Sequence, residues 1–248
     1  MKFRLLSLYP DQMNIYADRG NITFLRKRCE WRGIEFEYAG CSIGEEFNPG
    51  AHDLLYIGGG QDRDQKVVAS DLVQSKQELV REFIDGGNTL LAVCGGYQLL
   101  GRYYELGAEQ IEGLGLVDLH TVRSDGRRLI GPVAIKTTLG GIERTLAGFE
   151  NHGGRTWLGP GVEPLGKVES GHGNNGEDGY EGVLDENVIG TYLHGPLLPK
   201  NAWLADHLIQ SILRRRHGAE FQLSVLDDEL EDAAHESALA AAVGARKP

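Results

Sequence analysis

The chain has 248 residues, 41% of them hydrophobic and 25% charged, with a formal net charge of -11. That length can bury a sizeable core, as one large α/β domain or two small ones. The acidic balance excludes a broad nucleic-acid footprint, which needs clustered Lys and Arg, and no apolar run reaches the about 20 residues that cross a bilayer.

The first twenty residues, MKFRLLSLYPDQMNIYADRG, hold no sustained apolar stretch before polar residues and a proline, so no signal peptide is expected. Phe3 to Leu8 predicts a first strand and Gly20 to Arg32 the helix after it. Ile34 to Tyr38 alternates like a half-buried strand, and Asp53 to Ile57 is a strand running straight into Gly58, Gly59 and Gly60. Ser70 to Asp85 carries Leu72, Leu79, Val80 and Phe83 at roughly helical spacing. Asn88 to Val93 is the next strand, and Tyr97 to Tyr104 reads as the start of another helix. Strands alternating with helices imply a mostly parallel sheet with helices on both faces.

The second half changes character. Leu114 to Val122, Pro132 to Thr137, Val183 to Leu184 and Val188 to Leu193 are short apolar runs between Gly, Asn and Asp, expected as antiparallel strands added to the sheet or flanking it. Asn201 to His217 is an amphipathic helix with basic residues in its last turn. Residues 1–220 are expected to form one domain, and 221–248 an acidic, Ala-rich tail or peripheral helix. Three cysteines (Cys29, Cys41, Cys94) with no C-x-x-C pair suggest neither a disulfide framework nor a metal site, and point to a reducing cytoplasm.

The chemistry concentrates around Cys94. It falls on a strand-to-helix connection with Gly95 and Gly96 directly behind it. On such an elbow a thiol near a helix N-terminus favours the thiolate, and the Gly95 N–H points to where an oxyanion would form. Free cysteine is also among the most buried residue types, so local sequence leaves nucleophile and core filler both open. The Gly58 to Gly60 loop tips the balance, because loops at the carboxyl ends of neighbouring strands line one crevice. A thiol nucleophile then needs an imidazole. His194, ending a strand before Gly195 and Pro196, is the first candidate, and His152 is its main rival.

The segments AVCGGYQLLG, YIGGGQD, GFENHGGRT and GTYLHGPLLPKN together resemble class I glutamine amidotransferase domains of the cobyric-acid-synthase type. SGHGNNGEDGYEG and HGPLLPKN resemble more closely the GatD-type glutaminase subunits of lipid II isoglutaminyl synthase. The likeness runs to about residue 220. It implies a flavodoxin-like fold and a glutaminase: Cys94 attacks the side-chain amide of L-glutamine, His194 acts as base and acid, and Gly95 with Gly59 or Gly60 forms the oxyanion hole. It also implies that Arg128, Gln98 and His152 contact substrate, although Arg127 beside Arg128 leaves that assignment open. A glutamate two residues after the histidine is usual in many class I relatives. Pro196 stands there, so the orienting acid is expected from a partner or from another carboxylate of this chain.

The near miss to a P-loop at Gly161 to Val168 lacks the Ser or Thr that ligates magnesium, so no nucleotide site is expected here. The resemblance places ATP and Mg²⁺ on a Mur-ligase-like partner (MurT), with this chain in the cytoplasm, at the inner membrane face through lipid II. The rival readings are glutaminase of another cobyric-acid-type pathway, a cysteine hydrolase of the DJ-1 or peptidase lines, or a non-catalytic regulatory subunit of the same fold.

Overall fold

A computed structural model describes residues 1–15 and 18–245. The last three residues of the expected tail, 246–248, lie outside the described residues. The first half alternates strand and helix: β1 (Lys2–Leu8), α1 (Arg19–Glu30), β2 (Glu35–Cys41), β3 (Leu54–Ile57), α2 (Asp62–Asp71), α3 (Gln77–Asp85), β4 (Thr89–Val93) and the short α4 (Gly95–Leu99). Eight further strands follow: β5 (Tyr103–Leu106), β6 (Glu109–Glu112), β7 (Leu119–Arg123), β8 (Leu129–Leu139), β9 (Ile142–His152), β10 (Gly154–Leu158), β11 (Gly166–Ser170) and β12 (Tyr180–Glu181). Then come β13 (Val183–Asp185), β14 (Val188–Thr191), α5 (Ala202–His217) and α6 (Glu229–Gly244).

The central sheet has the order β13-β14-β4-β3-β1-β2, parallel throughout except for β13 at one edge. Its inner strands are buried on both faces, which is why LLYI and VIGT read as unbroken apolar runs rather than alternating ones. The edge strand β2 keeps the alternating pattern. The chain leaves β1 to one side for β2 and then crosses to the other for β3. The switch between those directions opens a crevice at the carboxyl ends of the strands.

Two four-stranded sheets, β10-β7-β5-β6 and β12-β11-β8-β9, stand beside the central one. The second is tied to it by a two-bond bridge: the Phe149 N–H donates to the His194 carbonyl at 3.2 Å, and the His194 N–H to the Phe149 carbonyl at 2.9 Å. Helix α6 lies against β8 and β9. It is fixed there by Ser170 Oγ donating to the Ala242 carbonyl at 2.6 Å and by His235 between Lys200 and Thr145. Asp228, just ahead of it, pairs with the fully buried Arg28.

Two expected elements differ. The helix placed at Ser70 to Asp85 begins earlier, at Asp62, and passes through a π turn at Leu72–Lys76 before α3. The helix expected to run through Tyr104 stops after Leu99, and Tyr103 to Leu106 is strand. Gly101 packs so tightly on Leu119 that a Cβ there would lie 2.2 Å from Leu119 Cδ1, so the chain turns at that point.

Candidate active site

Four groups meet at the carboxyl ends of four adjacent central strands: Asp18 after β1, the Gly58 to Gly60 loop after β3, Cys94 after β4 and His194 after β14. Cys94 has φ 50° and ψ −107°, a backbone conformation that side-chain-bearing residues rarely adopt. Its N–H donates to the Thr191 carbonyl at 2.8 Å, which ties the elbow to the strand leading to His194. The glycines behind it have a steric reason. A Cβ at Gly95 would sit 2.8 Å from Gly60 N, and one at Gly96 2.7 Å from the Ile57 carbonyl oxygen. The Gly-Gly pair is therefore what lets the start of α4 approach the glycine loop.

His194 is buried, and its Nδ1 lies 3.4 Å from Asp18 Oδ1. Burial works against the charged imidazolium, but the Cys94 sulfur, through charge and a side-chain hydrogen bond, and the Asp18 carboxylate outweigh it; the His194 pKa is pushed up to about 10. Asp18 was not singled out by sequence. It is fully buried, and its other oxygen accepts the Gly59 N–H at 2.6 Å. This changes the expectation for the oxyanion loop: the Gly59 N–H is engaged by Asp18, and Gly60 is the glycine whose backbone meets Gly95.

Two further buried carboxylates have other duties. Glu181 accepts from the Tyr192 N–H at 2.6 Å and from Thr191 Oγ1, so it holds the backbone just ahead of His194. Burial pushes its pKa up to about 8. Glu150 accepts from the His172 N–H, the Gly173 N–H and His172 Nδ1. Of the three, Asp18 is the one beside the His194 ring.

The cleft in front of Cys94, about 340 Å³, is lined by Gly60, Asp62, Gln65, Gln98, Arg128 and His152 among others. His152, the rival base, stacks flat on Tyr192 with ring centres 3.6 Å apart, and its Nδ1 donates to the Gly154 carbonyl at 2.8 Å. Burial lowers its pKa and outweighs Glu150 nearby. Its ring forms a wall of the cleft, with Nε2 3.9 Å from Glu150 Oε2. Gln98 donates to Tyr192 Oη at 3.0 Å and accepts from Gln65 at 2.9 Å.

Arg128 stands directly ahead of β8, with Nε on Asn151 Oδ1 at 2.9 Å and Nη2 on the Asn151 carbonyl at 2.7 Å. Those bonds set its guanidinium at the cleft wall. Arg127 is not among the lining residues, and its carbonyl accepts from Arg155. Asp62, Gln65, Tyr104, Arg123 and Asn151 also line the cleft without having been marked by sequence. Among the described residues, no group of three His, Cys, Asp or Glu side chains is arranged to hold a metal ion, and no helix is long and apolar enough to cross a membrane.

Comparison with known proteins follows the same lines. The model of the CobB/CobQ-like glutamine amidotransferase domain matches residues 4–202. The GatD subunit of lipid II isoglutaminyl synthase (glutamine-hydrolyzing) from Streptococcus pneumoniae is 39% identical over 92% of this chain and 87% of its own length. The same subunit from Staphylococcus aureus is 40% identical over 89% of this chain and 88% of its own. A probable cobyric acid synthase from Methanothermobacter thermautotrophicus is 34% identical over 56% of this chain but only 29% of its own length. Among solved structures, PurLQS from Thermotoga maritima superposes with a TM-score of 0.59 at 20% identity, covering 87% of this chain and 100% of that one, a likeness of fold.

Proposed function

The chain belongs to the CobB/CobQ-like glutamine amidotransferase family, and on that premise we propose that it is the glutaminase subunit of a lipid II isoglutaminyl synthase. One observation carries the reading: the two GatD proteins align with it along nearly their whole lengths, whereas the cobyric acid synthase is matched over less than a third of its own. The two matched relatives are each named as a subunit, which supports a second chain as the one that receives the ammonia. In this reading that chain is a Mur-ligase-like partner that binds ATP and Mg²⁺, activates the D-glutamate α-carboxyl of the lipid II stem peptide and amidates it.

The geometry supports the following chemistry on this chain. Cys94 Sγ, its proton already passed to the His194 ring that Cys94 and Asp18 hold in the protonated form, attacks the Cδ carbonyl of L-glutamine. The developing oxyanion meets the N–H groups of Gly60 and Gly95, whose backbones are in near contact. His194 returns its proton to the departing amine, so ammonia leaves and a γ-glutamyl thioester remains. Water, deprotonated by the same imidazole, then attacks the thioester; glutamate is released and the Cys94 thiol regenerated. Asp18 does not touch the substrate. It acts through His194, fixing the ring by its Nδ1, and through Gly59, fixing the glycine loop.

Arg128 supports binding of the glutamine α-carboxylate, and Gln98 and His152 shape the pocket for the amide side chain. The test is to purify the chain with a candidate Mur-ligase-like partner and supply lipid II, ATP and glutamine. ATP-dependent amidation of the stem peptide, lost on Cys94→Ala and restored by free ammonia, is the expected result. Glutamine hydrolysis coupled to a cobyrinate-type acceptor, with lipid II left unchanged, would overturn it.

A further inference from the structure

Glutamine carries two charges that the attacked amide does not use, an α-carboxylate and an α-ammonium, and a site selective for the amino acid must answer both. The cleft has three guanidiniums in its lining, from Arg63, Arg123 and Arg128. Among the described lining residues Asp62 is the single carboxylate. It opens α2, with Oδ1 accepting from Tyr104 Oη at 3.1 Å and the other oxygen paired with Arg123. A carboxylate offers about four lone-pair directions, so these two contacts orient Asp62 without exhausting it.

One turn along the same helix is Gln65, and residues three apart share a helix face. Gln65 is only 2% exposed. Its Nε2 donates to the Gly60 carbonyl at 3.3 Å and to Gln98 Oε1 at 2.9 Å. A carbonyl oxygen can only accept, so these contacts fix which way the amide points. Gln65 Oε1 is then a buried acceptor, on a residue that lines the cleft, with no donor among the described residues reaching it. Buried polar atoms are rarely left in that state, and a cationic donor in the cleft would satisfy it.

We propose that Asp62 and Gln65 form the subsite for the α-ammonium group of the glutamine donor, in the cleft that Arg128 also lines. The carboxylate supplies the opposite charge, and Gln65 Oε1 accepts a second ammonium N–H. Asp62 and Gln65 thereby determine specificity: they separate an amino-acid amide from a simple carboxylic amide of the same length. The inference rests on glutamine as ammonia donor, and it is independent of which acceptor the ammonia reaches.

The test compares glutamine with 4-carbamoylbutanoate, which keeps the amide and carboxylate but has hydrogen in place of the α-ammonium. Ammonia release is measured with the full chain, alongside its partner if hydrolysis needs it. The wild type should prefer glutamine by roughly a hundredfold in kcat/KM, since a site built to bond an N–H rejects the analogue lacking it. Asp62→Asn should cut kcat/KM for glutamine by about ten- to a hundredfold while leaving the analogue nearly unchanged, so the preference collapses. Equal losses on both substrates, or an undiminished preference, would overturn the subsite. Should Asp62→Asn fail to fold, Gln65→Met decides, because it removes the open acceptor and keeps the side-chain length. It is expected to cost glutamine about tenfold more than the analogue, and an equal cost again overturns the subsite. A complex that keeps the preference yet leaves lipid II unamidated would sink the proposed acceptor and leave the subsite standing.

Discussion

Asp18 and His194, separated by 176 positions in sequence, meet in the interior with Oδ1 3.4 Å from Nδ1. In the proposed mechanism this contact takes the role left open by Pro196, from the loop after β1 rather than from the strand that carries the histidine. The same carboxylate holds the Gly59 N–H. Asp18→Asn is expected to lower kcat for glutamine hydrolysis by roughly a hundredfold or more, with a much smaller change in KM, as for a residue that orients a general base. By NMR, the His194 ring should titrate below its raised value of about 10, because Asp18 is among the groups that raise it. An unchanged ring titration would remove Asp18 from the mechanism and return the role to a partner subunit.

The three thiols should differ sharply toward a glutamine-derived electrophile such as 6-diazo-5-oxo-norleucine. Burial pushes the Cys29 thiol up to about 12, and Cys41 is raised for the same reason. One label per folded chain is expected, at Cys94 by peptide mapping. Labelling that spares Cys94 and marks Cys29 or Cys41 would contradict its assignment as nucleophile.

Arg128 and Arg127 separate cleanly. Arg128→Ala removes the guanidinium set at the cleft wall by Asn151, and KM for glutamine should rise by about ten- to a hundredfold. Arg127→Ala should leave KM within about twofold, since the contact recorded for Arg127 is through its backbone carbonyl. The reverse ranking in steady-state kinetics would reassign the substrate contact.

Gly95→Ala probes the approach of the elbow to the glycine loop. Its Cβ would fall 2.8 Å from Gly60 N and 2.9 Å from Gly60 O, both backbone atoms that cannot swing aside. Stability should drop by about 1–3 kcal/mol in denaturant unfolding. Activity should fall by more than about a hundredfold, because both oxyanion donors are displaced. Wild-type kinetics in this variant would exclude the Gly60–Gly95 pair as the oxyanion site.

Glu181 should leave a signature in the pH dependence of folding. Its folded pKa, raised from the usual 4.5 to about 8 by burial, means that the native state holds a proton the unfolded chain has lost. Between those values the unfolded state binds fewer protons, so stability falls as pH rises from about 4.5 to about 8. Glu181→Gln keeps an acceptor for the Tyr192 N–H and has no proton to lose. Its unfolding free energy should therefore be flatter across that window, and a slope equal to wild type would show that Glu181 is not the group responsible.

The parallel sheet could be read from sequence because β3 and β4 are buried on both faces and leave nearly continuous apolar runs, and β1 is apolar through most of its length. Cys94 and His194 were legible because each ends such a run and is followed by glycine. The side sheets were legible in part: β7 and β8 showed as short apolar runs, whereas strands such as β6 (EQIE) and β9 (IERTLAGFENH) mix charged and apolar residues and acquire meaning only through their partners. Asp18 was invisible for a different reason. Nothing local distinguishes an aspartate that will face a histidine 176 residues away from one that caps a helix in solvent. Asp62 and Gln65 lay in a stretch too polar to show helical period, so the start of α2 was missed along with the two cleft residues it carries.

The four strand ends that build the site are not made together. β1, β3 and β4 are all complete by Val93, whereas β14, which carries the chain to His194, is the last strand to be synthesised among the described residues. A nascent chain thus exposes Cys94 on its elbow for a hundred residues before the imidazole exists. The edge of β4 that will receive β14 stays unpaired for the same interval. On the proposed mechanism, glutamine hydrolysis at Cys94 therefore waits on synthesis of β14, which delivers the imidazole to an elbow that is already made.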